Sequence, residues 1–353
     1  MDARENYLRA ATFGYPEYIP YKINLSGSTW VALGKELEEI VLRHPRTWPG
    51  YTPRNINWEE LPVEPHEDPA QDFVDQWGCV WRTIVRGMTG SVIKPALENL
   101  ADLAAYQPPD PHTYNGGMYP IDWAHTKKRL ERARKEGRTA IGKIYHGFFM
   151  LRLEYLRGFE NLMYDLVDET PEFLALVEIV HERNKQAVIN WLAAGAEVLK
   201  LPEDLGGQTC SFLGPQLFAK WVTPYHKELH DIAHRHGALT HFHCDGNIMD
   251  VADQIIAIGP DIFNPQDVCN GVDNLAEAFK GRMCIDLDFD RQNTMCYGSP
   301  QEIWELLEYE VKTLGQPAGG LMLHAGTWGE VPPENIEAMA AAMEKLCTYW
   351  SER

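Results

Sequence analysis

The sequence predicts an α/β chain folded as a (β/α)8 TIM barrel with an elaborated N-terminal segment, on three observations. From about residue 122, short apolar strands alternate with amphipathic helices as far as the C-terminus. Successive strands joined by right-handed helical crossovers have to pair in parallel, since each crossover returns the chain to start the next strand from the same end. The 353 residues contain no evident internal repeat and no linker, and they fit the length that one barrel with insertions fills. A single domain over residues 1–353 is expected, with 1–120 as N-terminal cap and first barrel units and 121–353 as regular βα units.

In chain order, the first hundred or so residues are rich in Trp, Pro and Tyr (YPEYIPYKINL, HPRTWPGYTPRNINW, DQWGCVWRTIVRG) and hold few long periodic stretches, as a cap would. The charged helix DWAHTKKRLERARKEG ends at Gly137, and the strand TAIGKIYHG and the helix PEFLALVEIVHERNKQAVINWLAAG follow. The strand AEVLKL then leads through the loop PEDLGGQ into one helix, PQLFAKWVTPYHKELHDIAHRHG, with apolar residues at Leu217, Trp221, Leu229 and Ile232 and a glycine at its end. Further units read ALTHFHCDGN with IMDVADQIIAIG, then DIFNPQ, then RMCIDLDFDRQ with SPQEIWELLEYEVKTLG, then GGLMLHAGTWG with PPENIEAMAAAMEKL.

Composition narrows the function classes. Hydrophobic residues make up 44% and charged residues 24%, so the chain can build a sizeable core. Lys and Arg number 32 against 51 Asp and Glu, a net charge of −19 with no basic run, which argues against nucleic acid as a partner. The opening MDARENYLRAATFG lacks an apolar core, and no stretch approaches the roughly eighteen apolar residues of a membrane span, so a cytoplasmic protein is expected. Seven scattered cysteines without CxxC spacing are expected to be reduced. No GxGxxG, Walker loop, HExxH or serine nucleophile elbow occurs, which removes nucleotide and serine-hydrolase chemistry. A homodimer is compatible with the class.

Two strands carry candidate chemistry. Alternation puts His241, His243 and Asp245 of THFHCDG on one strand face, with Asp245 at the strand end where barrels build their sites. His and carboxylate together ligate a metal or relay a proton; the competing assignment is a hydrogen-bonded core His and an Asp that caps the next helix. Asp286, Asp288 and Asp290 of IDLDFDRQ likewise share a face, where three inward carboxylates would need partners or a metal unless they reach solvent. Glu203 and Asp204, Gln266 and Asp267, and His324 also lie at or just past strands. Trp77, Trp81, Trp30, Tyr145 and Trp328 flank these segments as core or as an aromatic pocket. His226, His230 and His234, four apart on one helix, are expected on a solvated face near a helix C-terminus.

Eight segments in order, RENYLRAATFGYPEYIPY, DQWGCVW, LRGFENLMYDL, EDLGGQ, HFHCDGN, FNPQ, DFDRQ and GGLMLHAGTWGEVPPENI, resemble the uroporphyrinogen decarboxylase superfamily and especially its methyltransferase-like branch. The resemblance implies either cofactor-free decarboxylation of a tetrapyrrole or zinc-dependent methyl transfer to or from a corrinoid or thiol. The chain lacks the arginine-rich N-terminal segment of true decarboxylases, having only Arg4 and Arg9 there. Zinc methyltransferases of the superfamily look like His-x-Cys on a late strand with a second Cys on the last; here Asp245 and Thr327 stand in those positions.

What the resemblance then implies is an oxygen and nitrogen zinc site drawn from His243, His241, Glu203 and His324, with Asp245 beside it as acid. The expected activity is demethylation of a small-molecule methyl donor, a methyl ether cleaved as an O-demethylase would, with a corrinoid (cobalamin) on a separate protein taking the methyl group. Trp77, Tyr145, Gln266 and Trp328 are the expected substrate contacts. The alternatives are a cofactor-free decarboxylase, with Asp75 or Asp290 as the catalytic carboxylate, and a non-catalytic ligand-binding barrel.

Overall fold

The computed structural model describes residues 1–329 and 331–351. Its strands are β1 (Tyr21–Leu25), β2 (Phe73–Val74), β3 (Val80–Arg82), β4 (Ser91–Lys94), β5 (Ile141–Lys143), β6 (Val198–Asp204), β7 (Leu239–Asp245), β8 (Ile262–Pro265), β9 (Cys284–Asp288) and β10 (Leu321–Thr327). Seven of them form one sheet in the order β1-β10-β9-β8-β7-β6-β5, every pair parallel. The remaining three make a small antiparallel sheet in the cap.

The large sheet is strongly curled. Lys200 on β6 and Asp286 on β9 lie three strands apart, about 14 Å along a flat sheet, yet Lys200 Nζ comes within 3.9 Å of Asp286 Oδ2. Lys22 Nζ on β1 reaches the same oxygen at 3.8 Å from the other side. Side chains of alternate parity therefore converge on a barrel interior, while Leu199, Leu201, Phe242, Phe263, Ile285, Leu287 and Leu323 face the helices as the main core. Among the described residues β1 and β5 do not pair with each other; cap chain lies along β5 at that opening, with Tyr145 N–H donating to Asn115 O at 3.3 Å. Among the described residues the barrel thus has seven paired strands, where eight were expected.

Helix ends follow local chemistry. Ser299 caps the helix Pro300–Leu314 reciprocally with Glu302, and Thr170 caps Pro171–Ala194, which stops at the left-handed Gly195. The single helix expected over 215–237 is two, Gly214–Trp221 and Thr223–Arg235, because Pro224 lacks the N–H that a continuous helix needs. The N-terminal helix Ala3–Ala11 closes the barrel floor, where Tyr7, Leu8, Ala10 and Ala11 pack on Val198, Ile262, Cys284 and Met322.

The expectation for the histidine series is corrected. His226 and His230 are fully buried between the helix Thr223–Arg235 and Phe242, because the helix lays this face on β7; only His234 is exposed, where it pairs with Asp261 at 2.8 Å.

Candidate active site

The C-terminal ends of β6, β7 and β9 bring together Asp204, His243, Asp245 and Asp288, with His146 and Arg291 on the loops after β5 and β9. Register accounts for the convergence. Asp204 pairs with Asp245 across β6 and β7, and His243 pairs with Asn264 across β7 and β8. His243 is the centre: its Nδ1 lies 3.1 Å from the Asn264 carbonyl, which can only accept, so Nδ1 carries the proton. Its Nε2 then faces Asp245 Oδ1 at 3.2 Å and Asp204 Oδ1 at 3.6 Å. His146 Nε2 lies 2.8 Å from Asp204 Oδ1.

The carboxylates differ in proton affinity. Burial pushes Asp288 up to about 7, reinforced by the charges of Asp245 and Asp267 and opposed by Arg291 and His243. Burial also works on Asp245, but the His243 hydrogen bond and the nearby positive charges of His243, Arg291 and His146 hold it down at about 2. Burial lowers His243, yet the hydrogen bond and charge of Asp245, with Asp204 and Asp288, leave it raised. Neighbouring carboxyls pushed apart in this way can divide acid and base roles. Arg291 pairs with Asp245 and, at 3.1 Å, with Asp288, and its guanidinium lies over the Trp328 ring.

Among the described residues, two groups have ligand atoms all within 4.8 Å: His146, Asp204 and His243, and His243, Asp245 and Asp288. The first fits a cation better, because Arg291 already neutralises both carboxylates of the second. One His nitrogen with a fixed tautomer, a second imidazole and a carboxylate are a donor set that zinc accepts with a position left for a further ligand.

Of the other residues nominated from the sequence, Glu203 faces away from the mouth, accepting N–H bonds from Phe149 and Met150 at 2.6 and 2.9 Å and from Leu151, and so capping the helix Met150–Arg157. Burial pushes it up to about 8 against those three donors. His241 lies one inward layer deeper, 2.8 Å from Asp286 and 3.2 Å from Lys200 Nζ. His324 Nε2 lies 2.9 Å from Asn24 Nδ2. None of these three belongs to either ligand group. Asp75 is sealed in the cap, bonded to Arg152 at 2.6 Å, to Trp81 Nε1 and to two backbone N–H groups. Asp290 spends its oxygens on the turn it begins, accepting from Gln292, Asn293 and Thr294. Trp77 is core, bonded to Tyr114 and lying under Arg152. Tyr145 sits where β5 runs out beside Gly117, Gln266 accepts from Gly246 N–H and lines the cleft, and Trp328 is half exposed at the rim.

Sequence reasoning placed Asp288 among inward carboxylates and Asp204 at a strand end without assigning either to the site, and it did not reach His146 or Arg291. Parity was the available signal for the first two: Asp204 shares an inward face with Lys200, as Asp288 does with Asp286. His146 follows a strand and Arg291 sits in a loop, positions that alternation does not reach.

A family model described as uroporphyrinogen decarboxylase matches residues 82–346. Among solved structures, a methyltransferase from Methanosarcina mazei superposes with a TM-score of 0.64 at 14% identity, over 98% of this chain and 99% of its own. A D-psicose 3-epimerase, crystallised in the presence of D-fructose, matches at TM-score 0.39 and 7% identity over 65% of this chain and 82% of its own. A xylose isomerase-like TIM barrel protein from Mycobacterium smegmatis matches at 0.32 and 10%, over 65% and 90%. No curated protein matches. The Methanosarcina likeness shows the fold, a TIM-type α/β barrel along nearly the whole chain. The span 82–346 contains every strand from β4 to β10 and both ligand groups, and the chain belongs to the uroporphyrinogen decarboxylase family.

Proposed function

We propose that the chain is a methyltransferase that removes a methyl group from an ether oxygen of a small molecule and passes it to a reduced corrinoid on a partner protein. The observation that carries this reading is His243, whose Nε2 looks into a mouth lined by Asp204, His146 and Asp245. An ether oxygen is a poor leaving group, so its departure needs a proton or a Lewis acid at that atom. The methyl–oxygen bond breaks with its electron pair left on oxygen, and the methyl carbon bonds to the corrinoid cobalt.

Zinc held by His146, Asp204 and His243 would supply Lewis acidity to the departing oxygen. Asp288, with its affinity for a proton near neutrality, is the residue to hand that oxygen its proton, and Arg291 orients Asp245 and Asp288. Exposed apolar side chains on the loops after β6, β8, β9 and β10, namely Phe212, Val268, Tyr297 and Trp328, surround the same opening as a surface that a protein partner could cover. The decarboxylase alternative is less well supported, because its nominated Asp75 is sealed against Arg152 and Trp81.

The test is the metal content of protein purified without chelator or nickel, beside His243→Ala, followed by incubation with a reduced corrinoid protein and methoxylated aromatics. About one zinc per chain, lost in the variant, and methyl-corrinoid formation are expected. Metal-free protein that forms no methyl-corrinoid would overturn the reading.

A further inference from the structure

One inward layer below His243 the barrel carries three lysines, Lys22 on β1, Lys143 on β5 and Lys200 on β6. A single carboxylate, Asp286, serves two of them at 3.8 and 3.9 Å, and it also holds His241 at 2.8 Å. Lys143 has no ion pair or hydrogen bond among the described residues, and it stays exposed although its strand faces the interior. In the same interior, Asn264 Nδ2 donates to the Asp286 backbone carbonyl, and His324 Nδ1 is buried without a hydrogen bond, 3.7 Å from Asp288 Oδ1. Desolvation within the barrel, together with the charge of Lys22, lowers the proton affinity of Lys143, and burial with repulsion from Lys22 and Lys143, against the pull of Asp286, holds that of Lys200 well below the ordinary lysine value. An anion placed between them would relieve that repulsion.

The layer is closed below by the helix Ala3–Ala11, where the Tyr7 hydroxyl is buried without a hydrogen-bond partner. Inward positions above this layer on β1, β6 and β7 include Asn24, Asp204 and His243. Among the described residues Asp286 is the one carboxylate within ion-pair distance of these lysines, and burying positive charge with too few partners is costly.

We propose that Lys22, Lys143 and Lys200 form an anion well inside the barrel, below His243, that seats the carboxylate or phosphate head group of the substrate. Two residues of strand rise separate this layer from the mouth, about 7 Å, which is close to the span of one substituted aromatic ring. A ring anchored by its head group would thus present its far substituent at His243. The well rests on the proposed function only for the identity of that substituent; anion binding does not require methyl transfer.

The test is calorimetric titration of the intact protein with 3-methoxybenzoate, phenyl phosphate and the neutral 3-methoxybenzamide. At least one of the two anions should bind about tenfold or more tightly than the amide, as one charge-assisted contact implies, and the preferred one names the head group. Lys143→Met should remove most of that preference and Lys143→Arg should retain it, with near-UV circular dichroism reporting the fold. Lys22→Met is the second variant, in case Lys143→Met does not fold. Equal binding of acid, phosphate and amide, no binding of any, or a preference untouched by both variants would overturn the well. Selective anion binding without methyl-corrinoid formation would leave the well standing and remove the methyltransferase reading. Methyl transfer with no preference for anionic donors would do the reverse.

Discussion

His226 is buried with neither ring nitrogen hydrogen-bonded, and burial lowers its proton affinity to about 3, with repulsion from His181 adding to it. Above the unfolded value of 6.5 both states are neutral and the residue is indifferent to pH. As pH falls from 6.5 toward 3, only the unfolded chain takes the proton, and stability falls by about 1.4 kcal/mol per pH unit. His226→Leu should therefore unfold in urea at pH 5 with a stability about 2 kcal/mol closer to its own neutral-pH value than the wild type shows. An unchanged difference between the two pH values would contradict the burial. Asp75 and Arg152 form the other sealed pair, both without exposed side-chain surface. Asp75→Ala strands a buried guanidinium and is expected to cost about 3–5 kcal/mol in urea unfolding. Nothing in VDQWG marks Asp75 as sealed, because its partner lies 77 residues along the chain.

Strand parity explains which site residues the sequence could reveal at the scale of the element. His243 and Asp245 fall on one face of β7 whatever the tertiary structure, and so were legible from THFHCDG. Which face of β6 turns inward is set by pairing with β7, and that pairing turns Asp204 to the mouth and Glu203 to the helix Met150–Arg157. The loops after β6 and β7 are locked where Gly206 and Gly246 cross, with Gly207 bridged to Asn247. Gly246 has φ +82°, and a side chain there would run into the Gly206 carbonyl. Gly246→Ala should lower the stability by about 1–3 kcal/mol and weaken metal retention, because the crossing adjoins both Asp204 and Asp245. Thermal unfolding and metal analysis of the variant would check this; unchanged values would mean the loops have slack.

For the molecule as a whole, the N-terminal helix is a floor rather than an appendage. Removing residues 1–13 should expose Val198, Ile262, Cys284 and Met322, lower the melting temperature and raise binding of an apolar dye; a truncated chain melting like the full one would show that the barrel closes without it. The sequence by itself determined the α/β class, the order of the βα units and the two strands that carry His243, Asp245 and Asp288, because periodicity and turn chemistry are local. Tertiary structure alone decided that seven strands pair, that Glu203 and Asp75 are consumed by helix 150–157, and that His146, Asp204 and Arg291 join His243. It also brought Lys22, Lys143 and Lys200, each isolated in sequence, into one layer. The physical reason is curvature: a flat sheet would hold these side chains apart, and only closing it turns separate strand ends into one site.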